Sequence, residues 1–200
     1  MESNLPLKLR TAVIFDIERY ATKDGPGIRT VVFFKGCVMR CSWCANPASQ
    51  ISRPQISFVR RRCRKCGKCV DSCEKNAIRM NNEYGLVTDG TQCDLCGRCV
   101  RECYYNAREI VGKLVTVAQV METVLRDSIF YEQSGGGVTA SGGEPLLQID
   151  FLLDLLRECK EILSIVVDWK TERFFGYAAA SSTCSPFTNF IPASTSEMSL

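Results

Sequence analysis

The sequence predicts an α/β fold in which a cysteine-rich insertion interrupts a body of strands and helices. Three observations predict it. Short apolar runs alternate with stretches whose apolar residues recur at helical spacing. Of 13 cysteines in 200 residues, 11 crowd between positions 37 and 103. Hydrophobic residues make up 46% and charged residues 24%, the proportions of an ordinary globular chain.

Taken in order, residues 12–17 and 30–34 read as short apolar strands. Val117, Val120, Met121, Val124 and Leu125 lie at helical spacing, which predicts an amphipathic helix over 117–131. Ser134, Gly135, Gly136 and Gly137 end it. Residues 138–140 are β-like and lead into the turn Gly142-Gly143-Glu144-Pro145. Leu152, Leu155, Leu156, Cys159 and Leu163 form the stripe of a second helix, with Asp150 as its cap and Cys159 as core packing. Residues 165–167 make a third strand before Asp168. This alternation predicts a parallel sheet, with ligands at the carboxyl ends of its strands. The first cysteine loop and the Gly-Gly-Glu-Pro turn both follow strands, so both fall on that face.

Composition removes several function classes. Lys plus Arg is 25 and Asp plus Glu is 22, and a net charge of +3 is far from that of a strongly basic nucleic-acid binder. No run of 18 apolar residues occurs, and the first residues lack the apolar stretch of a secretion signal. An odd cysteine count without such a signal is no disulfide framework. Histidine is absent, which removes mixed cysteine–histidine zinc sites and histidine acid–base schemes. Thiolate chemistry is what remains.

The cysteines fall into three clusters. Cys37, Cys41 and Cys44 are spaced C-x3-C-x2-C. Cys63, Cys66, Cys69 and Cys73 are spaced C-x2-C-x2-C-x3-C, and Cys93, Cys96, Cys99 and Cys103 repeat that spacing with a period of 30. Gly67 and Gly97, Val70 and Val100, Asn76 and Asn106, and Ala77 and Ala107 repeat with them. A duplicated run of this kind is the two-cluster ferredoxin pattern, in which the fourth cysteine of each run serves the other cluster. Cys63, Cys66, Cys69 and Cys103 then hold one [4Fe–4S] cube, and Cys93, Cys96, Cys99 and Cys73 hold the other. Two four-cysteine zinc sites are the weaker alternative. Glu74 and Tyr104 stand where such runs usually carry proline, a departure that removes no ligand. The trio Cys37, Cys41 and Cys44 can hold three irons of a cube and leave the fourth open, and an open metal position is a binding site.

The loop CVMRCSWC at 37–44 resembles that of the radical S-adenosylmethionine (SAM) enzymes, with Trp43 before its last cysteine. DGPGIRT at 24–30, VVFFKGC at 31–37 and SGGGVTASGGEPLLQ at 134–148 are similar to the glycyl radical enzyme activating enzymes. The likeness runs from about 12 to 168, and a ferredoxin insertion between these motifs resembles the larger members. It implies a radical SAM parallel β/α barrel with an inserted ferredoxin-like domain holding two [4Fe–4S] clusters. Residues 1–55 would open the barrel, 56–108 would be the insertion, and 109–170 would continue the barrel. Cys37, Cys41 and Cys44 would ligate the catalytic cluster, whose open iron chelates SAM. Trp43 would lie against the cofactor, and Gly142, Gly143 and Glu144 would meet the methionyl amino group. Asp24 would help to hold the target glycine. Ala45 departs from the histidine that many relatives carry there.

Three [4Fe–4S] clusters and SAM are thus the implied cofactors. The implied partners are a glycyl radical enzyme and a low-potential donor such as flavodoxin or ferredoxin, with no nucleic acid and no membrane. Arg60, Arg61, Arg62, Arg64, Lys65 and Lys68 read as cations that offset an anionic cube or guide an acidic donor. The setting is anaerobic and cytoplasmic. The implied reaction is reductive cleavage of SAM to methionine and a 5′-deoxyadenosyl radical, which takes hydrogen from a partner's glycine. A radical SAM reaction on a small molecule is disfavoured by the DGPGIRT loop.

Residues 171–200 depart from all of this. Beyond Arg173 there is no Lys or Arg, and Glu197 is the lone acid. At about 30 residues per βαβ unit, room remains for about three of the usual six strands. The segment reads as a frame-shifted or disordered tail after a truncated barrel, with Cys184 a free thiol. On that expectation an iron–sulfur electron carrier without radical chemistry is the alternative function.

Overall fold

The computed structural model describes residues 10–81 and 85–163, together with the backbone of 166–169. The third strand is β9 (Val166–Trp169). Cys184 and the segment 171–200 lie outside the described residues.

A five-stranded sheet forms the body. Its strands are β1 (Thr11–Ala21), β2 (Arg29–Phe34), β7 (Lys113–Thr116), β8 (Gly137–Gly142) and β9, in the order β7-β1-β2-β8-β9. β2, β8 and β9 run parallel, with Arg29 opposite Gly137, Phe34 opposite Gly142 and Gly137 opposite Val166. β1 does not. It pairs antiparallel with β2, Ile14 facing Phe34 and Ala21 facing Arg29, and antiparallel with β7 on its other side. The sheet is therefore mixed, not wholly parallel as the alternation predicts. Only seven residues separate β1 from β2, and a parallel crossover needs about a dozen or more.

One face of the sheet is covered by α3 (Val117–Leu125), α4 (Ser128–Ser134) and α5 (Ile149–Leu163). Val32, Phe34, Val138 and Ala140 meet Val120, Val124, Phe151, Leu152, Leu155 and Cys159 in a common core. Thr116 starts α3 through a capping box with Gln119. The helix expected over 117–131 is broken in two at Asp127, whose side chain is pulled into the sheet. Its carboxylate accepts from Arg19 Nε at 3.0 Å and from Thr30 Oγ1 at 2.8 Å. Gly135, at φ 65°, ends α4. Asp150 lies inside the first turn of α5 rather than capping it, and pairs with Arg10 at 3.4 Å.

Between β2 and β7 the chain builds a second core around Cys69, Ile78, Leu86 and Cys99. β3 (Gln55–Phe58) pairs antiparallel with β6 (Arg108–Val111), and β4 (Ile78–Asn81) pairs antiparallel with β5 (Gly85–Thr88). Two one-turn helices, α1 (Lys68–Asp71) and α2 (Arg98–Arg101), begin at Gly67 and Gly97.

Candidate functional site

The first cysteine loop springs from the carboxyl end of β2. Its base is closed by Gly36 N–H donating to Ser49 O at 2.6 Å and Cys37 N–H donating to Gln50 O at 2.9 Å. Lys35 is buried beneath it, donates Nζ to Ala48 O at 2.6 Å, and has its pKa lowered by that burial. Within the loop, Cys44 N–H donates to Cys41 O at 3.2 Å. All three thiols are half-buried. Burial pushes the Cys37 thiol up, the Met39 backbone pulls it back, and the nearby charges of Glu144, Cys41 and Cys44 add to the rise. Glu144 thus lies within the electrostatic reach of Cys37. Trp43, next to Cys44 in the loop, has 74% of its surface exposed.

The turn after β8 is fastened to this loop. Gly143 N–H donates to Phe34 O at 2.7 Å, and Glu144 N–H donates to Gly36 O at 2.8 Å. A Cβ on Gly142 would meet Phe34 O at 2.6 Å, and one on Gly143 would meet Gly36 O at 2.2 Å. The glycines thus admit the backbone of the cysteine loop. Glu144 Oε1 accepts from Leu146 N–H at 3.2 Å and so caps the turn Pro145–Gln148. Gln148, given no role by the sequence motifs, clamps the strand ends. Its Nε2 donates to Lys35 O at 2.9 Å, and its Oε1 accepts from Val13 N–H at 2.8 Å. A polar residue closing a strand-to-helix turn is the signal that could have found it.

Asp24 is placed elsewhere on the sheet. Thr139 Oγ1 donates to Asp24 O at 3.0 Å and accepts from the buried Arg29 Nε at 2.6 Å. Thr139 alternates with the core residues Val138 and Ala140, so it faces the side of the sheet away from the helices. It precedes Gly142 by three positions, about 10 Å along a strand. The carbonyl of Asp24 therefore meets the sheet face opposite the helices, where Arg29, Val31 and Thr139 are buried.

The two repeated runs line two cavities. A solvent-open cavity is bordered by Cys73, Cys93, Cys96 and Cys99. A second is bordered by Cys63, Cys66, Cys69 and Cys103. Each takes three cysteines from one run and the fourth from the other. The repeated non-cysteine residues explain themselves here. Asn76 and Asn106 take left-handed backbone at φ 50° and 47°, which asparagine tolerates. The next N–H groups then point at sulfur, Ala77 at Cys73 Sγ (3.3 Å) and Ala107 at Cys103 Sγ (3.2 Å). Burial raises the Cys99 thiol, Arg108 lowers it, and Cys93, Cys69 and Cys73 lie in its field. Among the described residues no three ligand side chains converge on one metal ion. A cube offers each thiolate its own iron, so four thiols spread around a cavity suit a cube better than a lone zinc.

Residues 23–180 match the model of a family described as a 4Fe-4S single cluster domain. The chain is 45% identical over 157 residues to the isethionate sulfite-lyase activating enzyme of Oleidesulfovibrio alaskensis, covering 76% of this chain and 51% of that protein. It is 47% identical over 154 residues to the benzylsuccinate synthase activating enzyme of Thauera aromatica, covering 75% and 46%. This chain belongs to the glycyl radical enzyme activating enzymes of the radical SAM superfamily. The trans-4-hydroxy-L-proline dehydratase activating enzyme of Clostridioides difficile is 45% identical over 149 residues, covering 74% and 49%. The chain spans about half the length of the curated activating enzymes it matches. No helix among the described residues of this activating-enzyme chain is long and apolar enough to cross a membrane.

Proposed function

We propose that the chain carries the SAM-cleaving site of a glycyl radical enzyme activating enzyme. The observation that carries this reading is the fastening of Glu144 to Gly36, which sets a carboxylate beside three cysteines at the carboxyl ends of two parallel strands. Cys37, Cys41 and Cys44 would hold a [4Fe–4S] cluster by three thiolates, which would leave a position free to bind SAM. Glu144 takes the methionyl ammonium with the carboxylate oxygen that does not cap its own turn. Gly142 and Gly143 keep that turn against the cysteine loop, and Trp43 covers the cofactor. Asp24 helps to hold the target glycine segment. A cluster held there would supply the electron for reductive cleavage of SAM, which yields methionine and the radical chemistry directed at the partner's glycine.

Residues 1–55 and 109–170 form part of a β/α barrel in this reading, with β2, β8 and β9 as its parallel strands. Residues 56–108 form a ferredoxin-like insertion with two further [4Fe–4S] clusters, bringing the total to three. Arg60, Arg61, Arg62, Arg64, Lys65 and Lys68 are all exposed and present a cationic approach to an acidic donor of the flavodoxin or ferredoxin kind. Oxygen-labile clusters suit the cytoplasm of an anaerobic cell. The second reading, an iron–sulfur electron carrier without radical chemistry, draws on the two four-cysteine cavities, whose linings take nothing from the Cys37 loop.

Iron content and electron paramagnetic resonance after anaerobic reconstitution test the proposal. The chain is expected to hold about 12 irons, falling to about 8 in Cys41→Ala. SAM should alter the resonance of the reduced wild type and not that of the variant. A spectrum indifferent to SAM, with all iron in place, would leave the electron-carrier reading.

A further inference from the structure

The two cysteine repeats differ at one buried position. Ala77 and Ala107 are equivalent, so Ile78 in one repeat corresponds to Arg108 in the other. Ile78 is 5% exposed and lines the cavity of Cys73, Cys93, Cys96 and Cys99. Arg108 is 2% exposed and lines the cavity of Cys63, Cys66, Cys69 and Cys103. Its Nη1 donates to Thr88 Oγ1 at 2.7 Å, and its guanidinium carbon lies 5.5 Å from the ring centre of Phe58. Nε and Nη2 are buried without a hydrogen-bond partner. A buried cation with two unanswered donors is costly unless an anion answers them. Four thiols border the cavity that Arg108 lines, and thiolates around a cube are such an anion. Arg64, at the mouth of the same cavity, adds to the positive potential.

We propose that Arg108 donates Nε–H and Nη2–H to the sulfurs of the cluster held by Cys63, Cys66, Cys69 and Cys103, and makes it the more easily reduced of the two. The inference rests on the reading that both cavities hold [4Fe–4S] clusters. Reduction adds one electron and moves no proton, so the cluster becomes more negative by one charge. A cation and two donors fixed beside it favour the reduced form and raise the potential. At the matching position the apolar Ile78 offers the other cluster no donor, and the cations that line its cavity, Lys75 and Arg98, are solvent-exposed and screened. The repeat is symmetric in ligands and asymmetric in field, and an electron entering the pair rests on the Arg108 side.

The test is a redox titration of the 200-residue chain, followed by electron paramagnetic resonance after anaerobic reconstitution. Cys37, Cys41 and Cys44 are replaced by Ala throughout to silence the third centre. With Arg108 in place, two one-electron steps are expected. Arg108→Ile should lower the upper step by at least tenfold in its reduction equilibrium constant, about 59 mV, and move the lower step much less. Arg108→Lys keeps the charge without the fork and should give a smaller lowering. It also serves as the probe if the isoleucine variant does not load. About eight irons per chain in the protein titrated secures the cluster reading. Full iron with neither step moved in the variants, or with only the lower step moved, overturns the role of Arg108 alone. Zinc in place of iron in the parent chain overturns the cluster reading and this inference together.

Discussion

Glu144 N–H donates to the carbonyl of Gly36 at 2.8 Å, so the turn after β8 is bonded to the residue that precedes Cys37. More than a hundred residues separate the two in sequence. The neighbouring bond, Gly143 N–H to Phe34 O at 2.7 Å, extends the parallel pairing of β2 and β8 by one step past the sheet. Any rigid placement of a carboxylate over the cysteine loop depends on these two bonds.

Gly143→Ala tests that dependence. Its Cβ would lie 2.2 Å from a backbone oxygen, so main chain has to move. A loss of about 1–3 kcal/mol is expected in urea titration, together with selective loss of iron from the Cys37 loop. At Gly135 an added Cβ meets nothing within 4 Å. Gly135→Ala is expected to cost only the left-handed backbone penalty of about 1–2 kcal/mol, with iron content unchanged.

Cys159 is expected to be inert in the chemistry. It is fully buried in the helix–sheet core, its sulfur lies 3.5 Å from Met121 Sδ, and burial pushes its pKa to about 12. At pH 8 it should resist alkylation in the folded chain and react once urea unfolds it. Cys159→Ala should leave iron content unchanged and cost about 1–2 kcal/mol by loss of packing. Ready labelling of Cys159 in the native state would contradict this placement.

Asp127 should give the fold an acid limit. Burial alone would raise its pKa, but the hydrogen bonds from Arg19 and Thr30 outweigh burial and hold it below the ordinary carboxylate range. A depressed folded pKa contributes stability above the unfolded value of about 3.9. That contribution is lost as pH falls through the folded value. Asp127→Asn should therefore lower the melting temperature at pH 7 and narrow the gap to wild type in acid. A gap that is constant from neutral pH to acid would remove Asp127 as its cause.

Glu74 and Tyr104, which replace the usual prolines, meet the cations that open the helices of the opposite repeat. Arg98 pairs with Glu74, and Lys68 Nζ lies 4.4 Å from the centre of the Tyr104 ring. Both pairs are solvent-exposed, where such contacts contribute little. Glu74→Gln is expected to leave the urea midpoint and iron content within error. Loss of a cluster in that variant would show that Glu74 supports its ligand loop.

Much of this arrangement was legible from residue types and spacing. The exchange of Cys73 and Cys103 between cavities follows the known form of a duplicated run, and apolar spacing located α3 and α5. The antiparallel course of β1 was not legible from its apolar alternation, because strand direction depends on the length of the connection to β2. The short strand β7 is too brief to show a period. Asp127 sits within an apolar helical rhythm, and its break appears only once Arg19 and Thr30 are brought to it by the sheet. Arg108 is one more basic residue in the sequence. Its two unanswered donors emerge only when β6 folds against β3 and buries it.

The central claim is that Cys37, Cys41 and Cys44 form the site of SAM cleavage, and the most direct measurement is 5′-deoxyadenosine. The reconstituted chain, given SAM and dithionite under anaerobic conditions, should form it, while Cys41→Ala should form none and retain the other two clusters. Equal product from both proteins, or none from a wild type with all its iron in place, would contradict the claim.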